Sequence, residues 1–274
     1  MRGLFIFVIA GLFIFSSCSR VDLVLSLAPR YMANEVDDAF DLTSKRYAKV
    51  KEALVHDIDL NKKELLGLIT NQLDKLLRLL ATKDFKTEDL QLLFDESKEI
   101  QKKIIYAFKP SFSEVLLQLS SDELLSLNTY ANDRFKKIQE RLNNKKNYDK
   151  HYTKIYVRYM DFLFDFSTDE QDQIYKKFID SNYDYYLVQF EERKSFLKQF
   201  EILFAKKNEL VDYSLKYYAG DPEVKSKNYA KSQIIFYRNI IILFVDLWKV
   251  ATDRQKVNFR KNLTRINDEL KNLM

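Results

Sequence analysis

Few side chains in this sequence are placed to do chemistry. Among 274 residues there is one cysteine, Cys18, and two histidines, His56 and His151. The histidines are far apart and no His-x-x-x-His spacing occurs, which argues against a zinc site of the ordinary kind. His56 sits in a long charged stretch and reads as a surface or satisfied polar residue. Asp37, Asp38 and Asp41 form an acidic cluster that could draw a divalent ion. The EF-hand spacing and its glycine are missing, however, and complementing a helix start explains the acids better. There is no Gly-x-Ser-x-Gly elbow and no glycine-rich phosphate loop. No catalytic residue, metal ligand or cofactor is therefore expected. What remains is Cys18 and a tyrosine-rich tract, YDYYLVQF, at 183–190.

The position of Cys18 is informative. Met1-Arg2-Gly3 precedes an uncharged run from Leu4 to Phe15, and then come Ser16, Ser17 and Cys18. A membrane-spanning helix needs about 20 apolar residues, so the run is short for a permanent span and fits a secretory signal peptide. A lone free thiol in an exported chain is an oxidation liability, whereas a cysteine consumed by modification is not. Small residues before a cysteine that closes the apolar run resemble the lipobox of bacterial lipoproteins, with Phe15 where leucine is usual. The resemblance implies cleavage after residue 17, a diacylglyceryl group on the Cys18 sulfur, and a new amine that carries an acyl chain such as palmitate. Two or three chains hold a bilayer far more firmly than one. Ser19, following the cysteine, favours by the same resemblance the outer membrane facing the periplasm over the inner membrane. The chain then divides into a signal peptide at 1–17, a lipidated segment at 18–40 and a helical domain at 41–274.

Composition narrows the rest. Losing residues 1–17, whose one charge is Arg2, takes the formal net charge from +5 to +4 and leaves 257 residues. That mild, interspersed charge gives no nucleic-acid stripe. Beyond residue 17 the only glycines are Gly67 and Gly220, and no Asn-Gly or Asp-Gly turn occurs. Hairpins and bulges consume such residues. The expectation is an all-α chain, a single bundle of about ten helices.

Five segments carry helix-start chemistry: LTSKR at 42–46, KTEDL at 86–90, SSDEL at 120–124, STDEQ at 167–171 and ATDRQ at 251–255. Each offers a Ser or Thr cap before a charged first turn. Ser120 with Glu123, Ser167 with Glu170, and Thr252 with Gln255 fit the capping-box spacing. Apolar stripes such as Ile155, Tyr159, Phe162, Leu163 and Phe166 follow helical periodicity and read as core. Breaks are expected near Pro110, at 143–147, and at Gly220 to Pro222. The run IIFYRNIIILFVDLW at 234–248 is too short and too interrupted to span a membrane and is expected to be buried on most sides. Arg238 within it then needs a partner, with Asp161, Asp165 and Asp246 as candidates.

The stretch PRYMANEVDDAFDLT at 29–43, after the lipobox, resembles an uncharacterised family of proteobacterial envelope lipoproteins known as a domain of unknown function. Tyr31, Asp37, Asp38, Phe40, Asp41, Leu42 and Thr43 carry the match, and Arg46 stands where glutamine is usual. LSSDELLSL, DFLFDFSTDEQ and Arg193 are similar to that family's Leu-Thr-x-x-Gln starts and downstream arginine. The same starts resemble, more distantly, the Spy and CpxP type of periplasmic chaperone. Neither resemblance implies an enzymatic activity.

The functional expectation is a membrane-anchored envelope lipoprotein that binds or has a structural role in the periplasm, with an envelope protein or an unfolded client as partner. Rival readings are a surface-exposed lipoprotein that binds host or prey ligands, and an enzyme with a dispersed carboxylate site. The candidate contacts are Tyr183, Tyr185 and Tyr186, which with Tyr213, Tyr217 and Tyr218 could line a groove for peptide or apolar ligands. Their alternative is closure of the core between long helices. Tyr183, Tyr186 and Phe190 share a helix face and Tyr185 points away, so Phe190 is expected in the core and at least one of the three tyrosines outside it.

Overall fold

The computed structural model describes residues 21–82 and 85–274, with backbone only for 21–25. Residues 1–20, where the signal peptide is expected and where Cys18 falls, lie outside the described residues. The described chain is eleven α-helices, with no strand among them. They are α1 (Val21–Phe40), α2 (Ser44–Ala81), α3 (Thr87–Ala107), α4 (Lys109–Leu117), α5 (Ser121–Leu142), α6 (Lys145–Phe164), α7 (Asp169–Ser181), α8 (Tyr183–Leu203), α9 (Lys207–Ala219), α10 (Lys227–Val250) and α11 (Asp253–Lys271). A 3-10 turn, Pro222–Val224, links α9 to α10.

The 38-residue α2 is the spine, and α1, α3, α4 and α11 pack along it. The largest core joins its first half to α1, α4, α9 and the ends of α3 and α8, around Val50, Leu54, Ile105, Leu210 and Leu215. A second core joins the end of α2 to α6, α10 and α11 around Leu80, Met160, Phe164, Trp248 and Leu263. α1 belongs to this body, because Ala33, Ala39 and Phe40 are buried in the largest core. Asp57 of α2 is fully buried, and its Oδ2 accepts both the Ser111 N–H at 2.9 Å and the Ser111 hydroxyl at 2.6 Å, so α2 caps the start of α4.

Helix ends follow the expected chemistry with two corrections, and a third concerns a side chain inside a helix. Ser120 with Glu123 and Thr252 with Gln255 form capping boxes. In STDEQ the cap is Thr168 with Gln171, one residue beyond the Ser167 and Glu170 expected. In KTEDL the cap position is Lys86, whose N–H donates to Asp89 Oδ2 at 2.9 Å, and Thr87 is already helical. Gly220, at φ 90°, ends α9 with bonds from Gly220 N–H to Tyr217 O and from Asp221 N–H to Lys216 O. Those two bonds define a Schellman motif. The third correction concerns Arg238. It is exposed on α10, on the side that also exposes Ile234, Ile235 and Ile242. It needs no buried acid, and Asp165 and Asp246 pair instead with Arg254 and Lys249.

One corner occurs twice. Phe40 and Phe164 each end a helix, and Asp41 (φ 51°) and Asp165 (φ 76°) follow in the left-handed region. An apolar residue, Leu42 or Phe166, and a threonine cap, Thr43 or Thr168, then lead into the next helix, with Ser167 inserted before the cap in the second corner. Aspartate tolerates that backbone because its short side chain bonds locally. In the first corner the acidic cluster has structural duties: Asp37 Oδ1 accepts the Leu42 N–H at 3.0 Å, and Asp37 O accepts the Asp41 N–H at 2.7 Å.

The residue three beyond each cap reaches the same partners in both halves. Arg46 donates to Val115 O at 2.9 Å and pairs with Glu123 at 3.2 Å. Gln171 donates to Leu247 O at 3.4 Å, and its Oε1 accepts from Gln255 Nε2 at 2.8 Å. Val115 and Leu247 each lie five residues before the cap of the partner helix, Ser120 or Thr252. Two pairs of helix starts are thus joined through the residue three beyond the cap: Arg46 of α2 reaches the α5 capping box, and Gln171 of the α7 box meets Gln255 of the α11 box.

Candidate functional site

The tyrosine tract opens α8, which packs against α5, α7, α9 and α10. That position buries more than one of its faces. Tyr185 stacks on Phe236 at 3.8 Å and 8°, with Tyr229 beyond it. Tyr183 donates its hydroxyl to Leu142 O at 2.6 Å, and its ring meets Tyr148 at 5.1 Å. Tyr186 packs on Tyr152 at 4.3 Å and on Phe236 at 5.6 Å. Phe190 is buried, as expected. None of the three tyrosines is exposed, and Tyr185, placed off the shared face, is the most deeply buried. The expectation of an outward-facing ring is corrected: the rings that Tyr185 turns away from on α6 are replaced by those of α10.

A polar seam continues from Tyr185 along α8. Tyr185, Gln189, Glu192 and Arg193 follow helical spacing, and so do Tyr229, Gln233 and Tyr237 on the facing α10. Gln189 Nε2 donates to the Tyr185 hydroxyl at 3.1 Å, and Arg193 donates to Gln189 Oε1 at 3.2 Å. Gln233 Nε2 donates to the hydroxyls of Tyr229 at 3.2 Å and Tyr237 at 3.0 Å. The Lys225 ammonium reaches Gln233 Oε1 at 3.2 Å and lies 5.9 and 5.6 Å from the ring centres of Tyr217 and Tyr229. Such an amine gains from the negative ring faces.

Glu192 is buried and accepts the Ser226 N–H at 3.2 Å. Ser226 caps α10, and the position three residues on is Tyr229, which cannot complete a capping box. Glu192 supplies that missing carboxylate from α8.

The electrostatics suit recognition. Burial pushes the phenols of Tyr185, Tyr217 and Tyr218 far above their ordinary range, and those of Tyr213 and Tyr237 up to about 12. These groups are neutral hydrogen-bonding partners at physiological pH. Burial lowers the Lys225 amine, against the opposing pull of Glu192 and Asp221. Phenols, side-chain amides and one amine in an aromatic setting can hold a ligand rich in amides or hydroxyls. Tyr217, Lys225, Gln233 and Tyr237 are half-buried and form the accessible part of the seam.

The seam residues Gln189, Glu192, Lys225 and Gln233 were not legible as a group in the sequence. Their one signal is polar residues at helical spacing beside aromatic ones. His56 is exposed, and His151 contacts Arg141 at 3.0 Å. No group of three metal-ligating side chains occurs among the described residues, and no helix there is long and apolar enough to cross a membrane. Compared with family models, curated proteins and solved structures, the chain matches none.

The raised phenols set an alkaline limit. Above the ordinary tyrosine value of 10.0 an unfolded chain releases phenol protons that the folded chain keeps, so stability falls as pH rises from there. Phenolate absorbance is expected to rise in two stages. The later stage is ionisation of the buried phenols, expected together with loss of helix. A single stage near the ordinary value, with helix intact, would contradict the burial described.

Proposed function

We propose that this chain is a lipid-anchored helical protein of a bacterial cell envelope, facing the periplasm from the outer membrane, that acts by binding an envelope polypeptide or unfolded client. Cys18 carries the anchor. The half-buried seam of Tyr217, Lys225, Gln233 and Tyr237 carries the recognition. One observation supports binding over catalysis: three buried carboxylates and two buried amides each bond a helix start. Asp57 holds α4, Glu123 holds α5, Gln171 holds α7, Glu192 holds α10 and Gln255 holds α11. An acid or base in catalysis must instead meet a substrate proton.

The test is a chain with Lys225→Ala and Gln233→Ala, assayed for capture of an alkylated, permanently unfolded polypeptide. Capture is expected to weaken about tenfold, corresponding to about 1.4 kcal/mol, with little change in melting temperature. Unchanged capture by a folded double variant contradicts the assignment of the seam.

A further inference from the structure

The exposed stripe of α1 runs Leu27, Arg30, Tyr31, Asn34 and Asp38. These positions follow helical spacing and form one line along the helix. Their chemistry changes steadily along it, from apolar, through cationic and aromatic, to amide and then acid. Leu27 and Tyr31 keep 48% and 47% of their surface exposed although both are large and apolar in body. Beside them on α5, the Arg134 guanidinium lies 4.7 Å from the ring centre of Tyr130, and Tyr31 feels both the Glu35 carboxylate, which it hydrogen-bonds, and, more weakly, the Arg134 charge. Aromatic rings and long cationic side chains with apolar stems are the residues that suit the boundary between lipid and water.

The chain outside the described residues ends close by. Helix α1 begins at Val21, so only Ser19 and Arg20 separate it from Cys18. Three residue steps of extended chain reach about 10 Å, and at 1.5 Å per residue Leu27 lies about 9 Å and Tyr31 about 15 Å further along α1. Asp38 lies about 26 Å along it. A tether this short leaves the start of α1 no room to stand clear of the bilayer that holds Cys18.

We propose that the Leu27–Tyr31 end of α1, with Arg30 and Arg134, rests in the headgroup layer of the membrane carrying the Cys18 lipid. The inference rests on the anchor reading above. Because α1 is fixed in the main core through Ala33, Ala39 and Phe40, its contact sets the orientation of the whole body. Asn34 and Asp38 mark where the stripe leaves the membrane for water.

The test uses the full mature chain purified from membranes and placed in vesicles of phosphatidylethanolamine and phosphatidylglycerol with dibrominated acyl chains. Cys18 is the only native cysteine, so when it is lipidated a thiol-reactive fluorophore labels only an introduced cysteine. The variants are Leu27→Cys, Tyr31→Cys, Asp38→Cys and, on α10, Ile235→Cys, all at exposed positions. Quenching by brominated lipid is expected to be several-fold stronger at 27 and 31 than at 38 and 235. Equal quenching at all four positions, with the unsubstituted chain refusing label, overturns the placement while leaving the anchor standing. An unsubstituted chain that takes label at Cys18 overturns the anchor and the placement with it.

Discussion

A Gln255→Ala chain is expected to lose roughly 3–5 kcal/mol of folding stability, because several buried groups lose partners at once. Gln255 is fully buried. Its Oε1 accepts the Thr252 N–H at 2.9 Å, and its Nε2 donates to Phe166 O at 2.9 Å and to Gln171 Oε1 at 2.8 Å. Truncation removes the α11 capping box and the link between α11 and α7 in one step. Gln255→Glu keeps an acceptor for Thr252 but sets a carboxylate oxygen against two other acceptors, so it is expected to be no better tolerated. Urea melts of Gln255→Ala, Gln171→Ala and the double variant check the account. The double variant should lose clearly less than the two single losses combined, since the residues share bonds. Additive losses would mean that the two starts are not coupled.

Replacing Cys18 by serine is expected to move the protein from the membrane fraction to the soluble one. No helix among the described residues is long and apolar enough to cross a membrane. Two or three acyl chains bind far more firmly than one, and a half-exposed leucine and tyrosine contribute only a shallow contact. The measurement is fractionation of cells expressing either chain, followed by a salt wash. Retention of the Cys18→Ser chain through the wash would place the anchor elsewhere.

The parts of this fold that depend on neighbours in sequence were legible. Ser120 with Glu123, Thr252 with Gln255, and the Gly220 stop are local devices, and each is found where its spacing put it. The α7 start was misplaced by one residue because Ser167 and Thr168 both have an acid or amide three residues on. Tertiary packing decides between them: Gln171 meets Leu247 and Gln255, whereas Glu170 is exposed. The environment of Arg238 was misjudged because apolar content alone does not reveal which side of a helix lacks a neighbour. Ile234 and Ile235 remain 69% and 61% exposed beside it.

The seam was hidden for a related reason. Gln189, Glu192 and Gln233 at helical spacing look like a solvent face until α8 and α10 are set against each other. Tyr185 likewise points away from Tyr183 and Phe190, yet finds Phe236 on the other side. Cys18 is a different case: the expectation for it rests on the seventeen residues before it, which lie with it outside the described residues.

The mass of the N-terminal peptide, taken from protein extracted from its native membrane, tests the central claim most directly. The account predicts a mature chain that begins at Cys18 and carries a diacylglyceryl group on sulfur, with or without a further acyl chain on the amine. A dominant unmodified peptide spanning residues 10–25 would contradict it.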